Sequence, residues 1–143
     1  MSTNFKKNRK KIAVVIPKYG LVGGAEQFAA ELTERIAGNA DYDIHVVADR
    51  WKVLSDHVTF HRAPIISFPK FLTTTSFAWF ADRTIRAEGF DLVHTHDRIF
   101  AADLFTMHGI PHRLWVEEVR RKRLSLYDRA TARTESLLVR NPR

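Results

Sequence analysis

Apolar positions along the chain fall into short unbroken runs that alternate with stretches of helical period. Ile12-Ala13-Val14-Val15-Ile16 is a mostly β-branched run closed by Pro17, the pattern of a strand buried on both faces. After the loop Lys18–Gly24, the residues Ala25, Phe28, Ala29, Leu32 and Ile36 recur at helical spacing, and Gly38 is placed to end the helix. Glu26, Glu31 and Glu34 take the other face. Strands are predicted at Ile44–Ala48 and Val58–Arg62, followed by a loop between Pro64 and Pro69. A second helix is predicted over Phe77–Ala87, with Phe77, Phe80, Ala81, Thr84 and Ile85 inward and Gly89 as its stop. Phe90–His96 predicts a fourth strand, Ile99–Ala102 a short helical link, and Leu104–Met107 a fifth strand ending at His108-Gly109. From Pro111 onward the pattern is helical and basic.

This alternation predicts an α/β protein with a Rossmann-like, doubly wound, mostly parallel sheet flanked by helices. In such sheets ligands sit at the carboxyl ends of the strands. Those ends are Pro17–Gly24, Ala48–Trp51, His94–Arg98 and His108–His112, and most of the chemically distinctive residues fall there.

Composition narrows the picture. A length of 143 residues with 45% hydrophobic content allows one domain with a real core. The absence of cysteine excludes disulfides, thiolate catalysis and Cys-ligated metals. No apolar run reaches the roughly 18 residues of a membrane span. The net charge of +7 is uneven: +5 over residues 1–11, −3 over 12–107 and +5 over 108–143. Residues 1–11 are therefore read as a basic, flexible leader, and residues 12–143 as the domain. Basic ends suit an anionic partner.

Three groups could carry chemistry. Gly20, Gly23 and Gly24 precede a helix, where backbone amides and the helix dipole favour an anion. The dinucleotide fingerprint is not met, although Asp49 stands where a ribose-binding acid would be expected. His94-Thr95-His96-Asp97 places two imidazoles on one strand face beside a carboxylate, and His108 ends the neighbouring strand. With His108 or His112 this cluster could ligate a metal, as in a hydrolase; alternatively His108 could orient a hydroxyl, donate to a phosphate or act as a base. The run Arg120-Arg121-Lys122-Arg123, near Trp115 and Tyr127, suits a membrane surface or nucleic acid, though no nucleic-acid fingerprint accompanies it.

Together, Ile12–Pro17, Gly23-Gly24-Ala25-Glu26, Phe90-Asp91-Leu92-Val93-His94-Thr95-His96-Asp97 and Thr106-Met107-His108-Gly109 resemble the N-terminal, acceptor-side domain of retaining GT-B glycosyltransferases of family four. The resemblance implies one half of a GT-B fold. It implies that Gly23 and Gly24, with Glu26 beside them, bind the donor diphosphate or sugar. His96 and Asp97 would line the acceptor side, and His108 would be the catalytic position. It further implies no cofactor or catalytic metal, a nucleotide-sugar donor in the complete enzyme, and a glycan or lipid-linked acceptor. The partner would be a C-terminal donor-binding domain, without which little or no activity is expected. A cytoplasmic location with peripheral contact at the inner, anionic membrane face fits these expectations, with no nucleic acid partner.

Overall fold

The computed structural model describes residues 8–143, so residues 1–7 of the expected leader lie outside it. The first strand, β1, spans Lys10–Val15, which takes Lys10 and Lys11 out of the leader and into the sheet. The backbone amide of Lys11 donates to Asp91, and its ammonium reaches Glu88 at 2.9 Å. These contacts explain how the Lys11 cation enters the strand, while Lys10 stays exposed at its start.

The chain continues through β2 (Lys18–Tyr19), α1 (Gly24–Ala37), β3 (Tyr42–Ala48), β4 (Arg50–Trp51) and β5 (Val58–Arg62). It then forms α2 (Leu72–Glu88), β6 (Leu92–Thr95), β7 (Leu104–Phe105), α3 (His112–Leu114) and α4 (Leu126–Arg140). A five-stranded, wholly parallel sheet has the order β5-β3-β1-β6-β7, and β2 pairs with β4 as a separate two-stranded ribbon. The predicted doubly wound α/β architecture is therefore present.

Alternation along β1 divides the core in two. Ala13 and Val15 face a layer built from Phe77, Ala78, Ala81 and Ile85 of α2 and Leu138 of α4. Val14 and Ile16 face the opposite layer, with Ala29, Ala30 and Ala37 of α1 and Tyr19. Small residues on α1 let its backbone approach the sheet closely.

Several elements differ from expectation. The buried face of α1 is Ala29, Ala30, Thr33 and Ala37, so the helix is rotated from the predicted phase and Phe28 is 52% exposed. Helix α2 begins at Leu72, five residues earlier than predicted, while Gly89 ends it in the left-handed region at φ 62°. Residues 99–102 form no helix; they cross in an extended loop that buries Ile99 and Ala102. The basic C-terminal region is not one helix. α3 runs on into a π-helical turn over Trp115–Val119, and the chain breaks at Arg121, φ 50°, before α4. Ser125 and Asp128 then start α4 with a reciprocal capping box.

Tyr19 shows how the α1 layer is held. It is fully buried, and its hydroxyl donates to Glu34 at 2.8 Å. Burial first, and then the Glu34 carboxylate, push its ionisation well above the ordinary tyrosine range. Tyr19→Phe should lower stability by about 1.5–3 kcal/mol, the range for a hydrogen bond to a charged group. The check is a lower urea midpoint with an unchanged slope.

Candidate functional site

Parallel strands release their last carbonyls and amides at one end of the sheet, and the chain there must turn over the surface. Lys18, the loop before α1, residues 96–98 after β6 and residues 106–109 after β7 meet at that rim. Two adjoining cavities open there. One, of about 330 Å³, is bordered by Lys18, Glu26, Thr73, Asp97, Arg98 and Tyr127 among others. The other, of about 200 Å³, is bordered by Met107, His108 and Gly109. Ala25, His96, Asp97 and Arg98 line both.

The glycine turn is shaped for this place. Gly23 has φ 120°, a conformation that L side chains rarely adopt and that favours glycine there, and the Glu26 carboxylate packs where a Cβ would stand. Gly24 has open space around it. No side chain caps the amides of α1, which face the rim with the positive end of the helix dipole.

Histidines form the opposite wall. His96 Nδ1 and His108 Nε2 are 2.9 Å apart in hydrogen-bond contact, with their rings stacked at 5.2 Å. His94 lies against His96, ring centroids 4.3 Å apart, and its own Nε2 is bonded to Thr106 Oγ1 at 2.8 Å. Phe28 meets the edges of His96 and His108 at 6.3 and 5.7 Å. Burial, with His94 and His108 nearby, pushes His96 down to about 4, so its ring is neutral at pH 7. Burial lowers His94 as well. These groups do not assemble a metal site: among the described residues no group of three or more His, Cys, Asp or Glu is placed to hold a metal ion.

Asp97 sits between these walls. Burial raises its carboxyl above the ordinary range, against the pull of Arg98. Arg98 joins the rim to α4, and its Nη1 lies 3.6 Å from Asp97 Oδ1. Its Nε donates to Glu135 of α4 at 2.7 Å, and Glu135 also accepts from the His112 amide at 3.1 Å. His112, placed at the rim by its sequence position, is instead buried and bonded through Nε2 to Asp128 at 2.9 Å. It anchors α4. Asp49 is likewise structural: it accepts from the Ile65 amide and lies 3.9 Å from Arg62.

The structure thus brings Gly23, Gly24, Glu26, His96, Asp97 and His108 to one rim. Sequence reasoning missed Lys18, Arg98, Thr73 and Tyr127. Arg98 directly follows the singled-out Asp97, and Lys18 ends the first strand, so both were within reach of the strand-end rule. Thr73 and Tyr127 depended on helix starts that the pattern did not show.

A parallel sheet with an uncapped helix start, a histidine wall and a carboxylate at its strand ends has the architecture of one Rossmann-like half of a GT-B fold. The solved structure of WaaG, a glycosyltransferase involved in lipopolysaccharide biosynthesis, matches with a TM-score of 0.72 at 15% identity, over 88% of this chain and 35% of that one. This chain thus spans about a third of that protein's length. Residues 22–141 match the model of Glycosyltransferase Family 4, and the chain belongs to that family. No curated protein sequence matches it.

The Asp128 cap gives a pH test of the α4 anchor. Hydrogen bonds from the Ser125 hydroxyl and amide, then His112, hold Asp128 down to about 2 from 3.8. A carboxylate depressed in the fold contributes stability above its unfolded value and loses it as pH falls through the folded one. Ser125→Ala should cost about 1 kcal/mol at pH 7. That penalty should shrink between about pH 4 and pH 2, as read by urea unfolding across the pH series.

Proposed function

We propose that this chain is the acceptor-side domain of a retaining glycosyltransferase that moves a sugar from a nucleotide sugar to a glycan or lipid-linked acceptor. The observation that carries this reading is the meeting, in one cleft, of the uncapped α1 amides, the His96–His108 pair and Asp97. Membership of Glycosyltransferase Family 4 supports the reaction class.

In this reading the α1 amides and Gly24 face the donor diphosphate or the transferred sugar, where the helix dipole stabilises negative charge. His108, exposed at the end of β7, meets the reacting sugar. Asp97 and His96 line the acceptor side. The reading calls for no cofactor beyond the nucleotide sugar. The base and ribose of that donor belong to a separate donor-binding half, so the 143-residue chain should bind nucleotide sugars weakly in calorimetry. Low-micromolar binding of one of them would place the donor pocket here and overturn this division of labour.

The test of the site uses the enzyme that joins both halves. His108→Ala should cut turnover about 10²–10⁴-fold, the usual worth of a positioned proton donor or acceptor. Gly24→Val should also cut it strongly with the fold intact, because the space at Gly24 is open and its φ is ordinary. His45→Ala is the control, since His45 is buried within β3, away from the rim. Equal damage from His45→Ala at equal stability would overturn the assignment.

The same reading includes peripheral contact with the cytoplasmic face of an anionic membrane. Among the described residues no helix is long and apolar enough to cross one. Leu114, Trp115, Val119 and Leu126 are exposed beside Arg120–Arg123, and the Arg120 guanidinium lies 5.0 Å from the Trp115 ring centroid. Arg121, Lys122 and Arg123 have no ion-pair partner among the described residues. The chain should therefore co-sediment with phosphatidylglycerol-rich vesicles, weakening steeply with salt. Arg121→Gln and Arg123→Gln should each weaken binding about fivefold, from about 1 kcal/mol per basic residue at a lipid surface. Equal binding to neutral vesicles would contradict this.

A further inference from the structure

The histidine pair holds more information than a pair of candidate ligand contacts. His96 is 6% exposed, and of its two ring nitrogens only Nδ1 has a partner, His108 Nε2 at 2.9 Å. The other, Nε2, is buried with no hydrogen-bond partner among the described residues. A neutral imidazole carries one N–H and one lone pair, so the pairing of one nitrogen constrains the other. Two arrangements satisfy the 2.9 Å contact. In the first, His96 Nδ1–H donates to His108 Nε2, and a neutral His108 then carries its proton on Nδ1. In the second, His108 Nε2–H donates to His96 Nδ1, and the His96 proton must sit on Nε2. That second arrangement buries an N–H with no acceptor. Buried orphan donors are rarer in native structures than under-used acceptors, which places the empty lone pair, not the proton, at His96 Nε2.

The surroundings support a fixed ring. His94 packs against His96 with its ring tilted by 38° but spends its own Nε2 on Thr106. Phe28, the residue that the predicted helix phase turned inward, instead lies with its ring against the edges of both imidazoles. Half-exposed as it is, it covers the pair from the α1 side. His108 itself is exposed at the smaller cavity, so its second nitrogen is the one that a ligand can meet.

We propose that His96 is a positioning residue that locks His108 in the Nδ1–H tautomer, so that His108 meets the ligand as a hydrogen-bond donor and not as a base, with Phe28 shielding the pair. This deepens the glycosyl-transfer reading and rests on it for the identity of the ligand alone; the lock is a property of the free chain. The burial that keeps His96 neutral agrees with its role as a fixed donor.

The test is long-range proton–nitrogen correlation spectroscopy on the chain with ¹⁵N-labelled histidine, at about pH 8, above the ordinary imidazole range. Both rings should show the Nδ1–H tautomer. The Nε2–H form in either ring overturns the proposal. In His96→Phe, His108 should show both tautomers. In His96→Asn, whose amide N–H can take the place of Nδ1–H, the single tautomer should return. A His108 spectrum unchanged by His96→Phe also overturns it. Phe28→Ala should leave the melting temperature close to that of the wild type, because Phe28 is half-exposed, while the His108 tautomers begin to mix. If they do not mix, the shielding role fails. In the enzyme that joins both halves, His108→Asn, which keeps an N–H near the Nδ1 position, should retain most of the turnover that His108→Ala loses. The spectra need no substrate. A failed lock with transfer intact removes only this inference, and an intact lock with no transfer removes only the transferase reading.

Discussion

Strand β1 is hydrogen-bonded along both edges, to β3 and β6, and packed on both faces. No polar side chain can be tolerated in its centre, and no backbone group is free until the chain leaves the sheet at Ile16 and Pro17. That constraint fixes where function can sit. With every strand parallel, the free carbonyls, the helix start of α1 and the turns after β6 and β7 emerge on one side. The rim is thus a consequence of burying β1. Lys18, the α1 amides, His96 to Arg98 and His108 share a surface because each is among the first residues outside the sheet.

The rim's character follows from partial burial. Three imidazoles, His94, His96 and His108, crowd together where protonating one would place charge beside another. Burial favours the neutral ring at His94 and His96, and the hydrogen bonds to Thr106 and between His96 and His108 occupy one nitrogen of each of the three rings. A similar pair exists on the other side of β1. His45 Nδ1 and His61 Nε2 are 2.8 Å apart and meet Phe90 edge-on, much as the rim pair meets Phe28. There, however, Asp43, Glu88 and Lys11 surround the rings with countercharges. Those partners make it a structural junction of β1, β3, β5 and α2. The rim pair lacks such countercharges, although each pair has one buried Nε2 without a hydrogen bond, on His45 and on His96.

What could be read from the sequence follows the strength of the local signal. The β-branched runs made the strands and their parallel burial legible, because burial on both faces leaves no alternation to misread. Gly38 and Gly89 were legible as helix ends. Helix phase was less so. Phe28 and Leu32 looked inward because they are large and apolar, yet the close approach of α1 to the sheet selects alanines and leaves Phe28 to the rim. The start of α2 was hidden because Leu72-Thr73-Thr74-Thr75 reads as polar loop, while the structure uses Thr74 to bond Thr131 of α4 at 2.9 Å. In the candidate site, Gly23, Gly24, His96, Asp97 and His108 lie in segments that the strand-end rule picked out, and Glu26 came from the family resemblance. The contacts among them were not legible, because the His96–His108 bond and the Arg98–Glu135 pair depend on tertiary register.

That second pair shows how the C-terminal region belongs to the site without lining its centre. Arg98 stands at the cleft with its Nη1 3.6 Å from Asp97 Oδ1. Its Nε is held by Glu135, a residue of α4 with a 9% exposed side chain, and Glu135 in turn takes the His112 amide. Removing Arg98 would strand the Glu135 carboxylate in a poorly hydrated place, the costly way to break a buried pair. The arrangement ties the turn after β6 to α4, and His112–Asp128 ties the segment after β7 to the start of the same helix. Both loops that carry the histidine wall are thereby clamped to one helix 15 residues long. Such a clamp favours a wall that holds two imidazoles within hydrogen-bond reach of each other, because it limits the motion of both loops. Helix α4, read from the sequence as a basic surface, supplies the rigidity on which the rim depends.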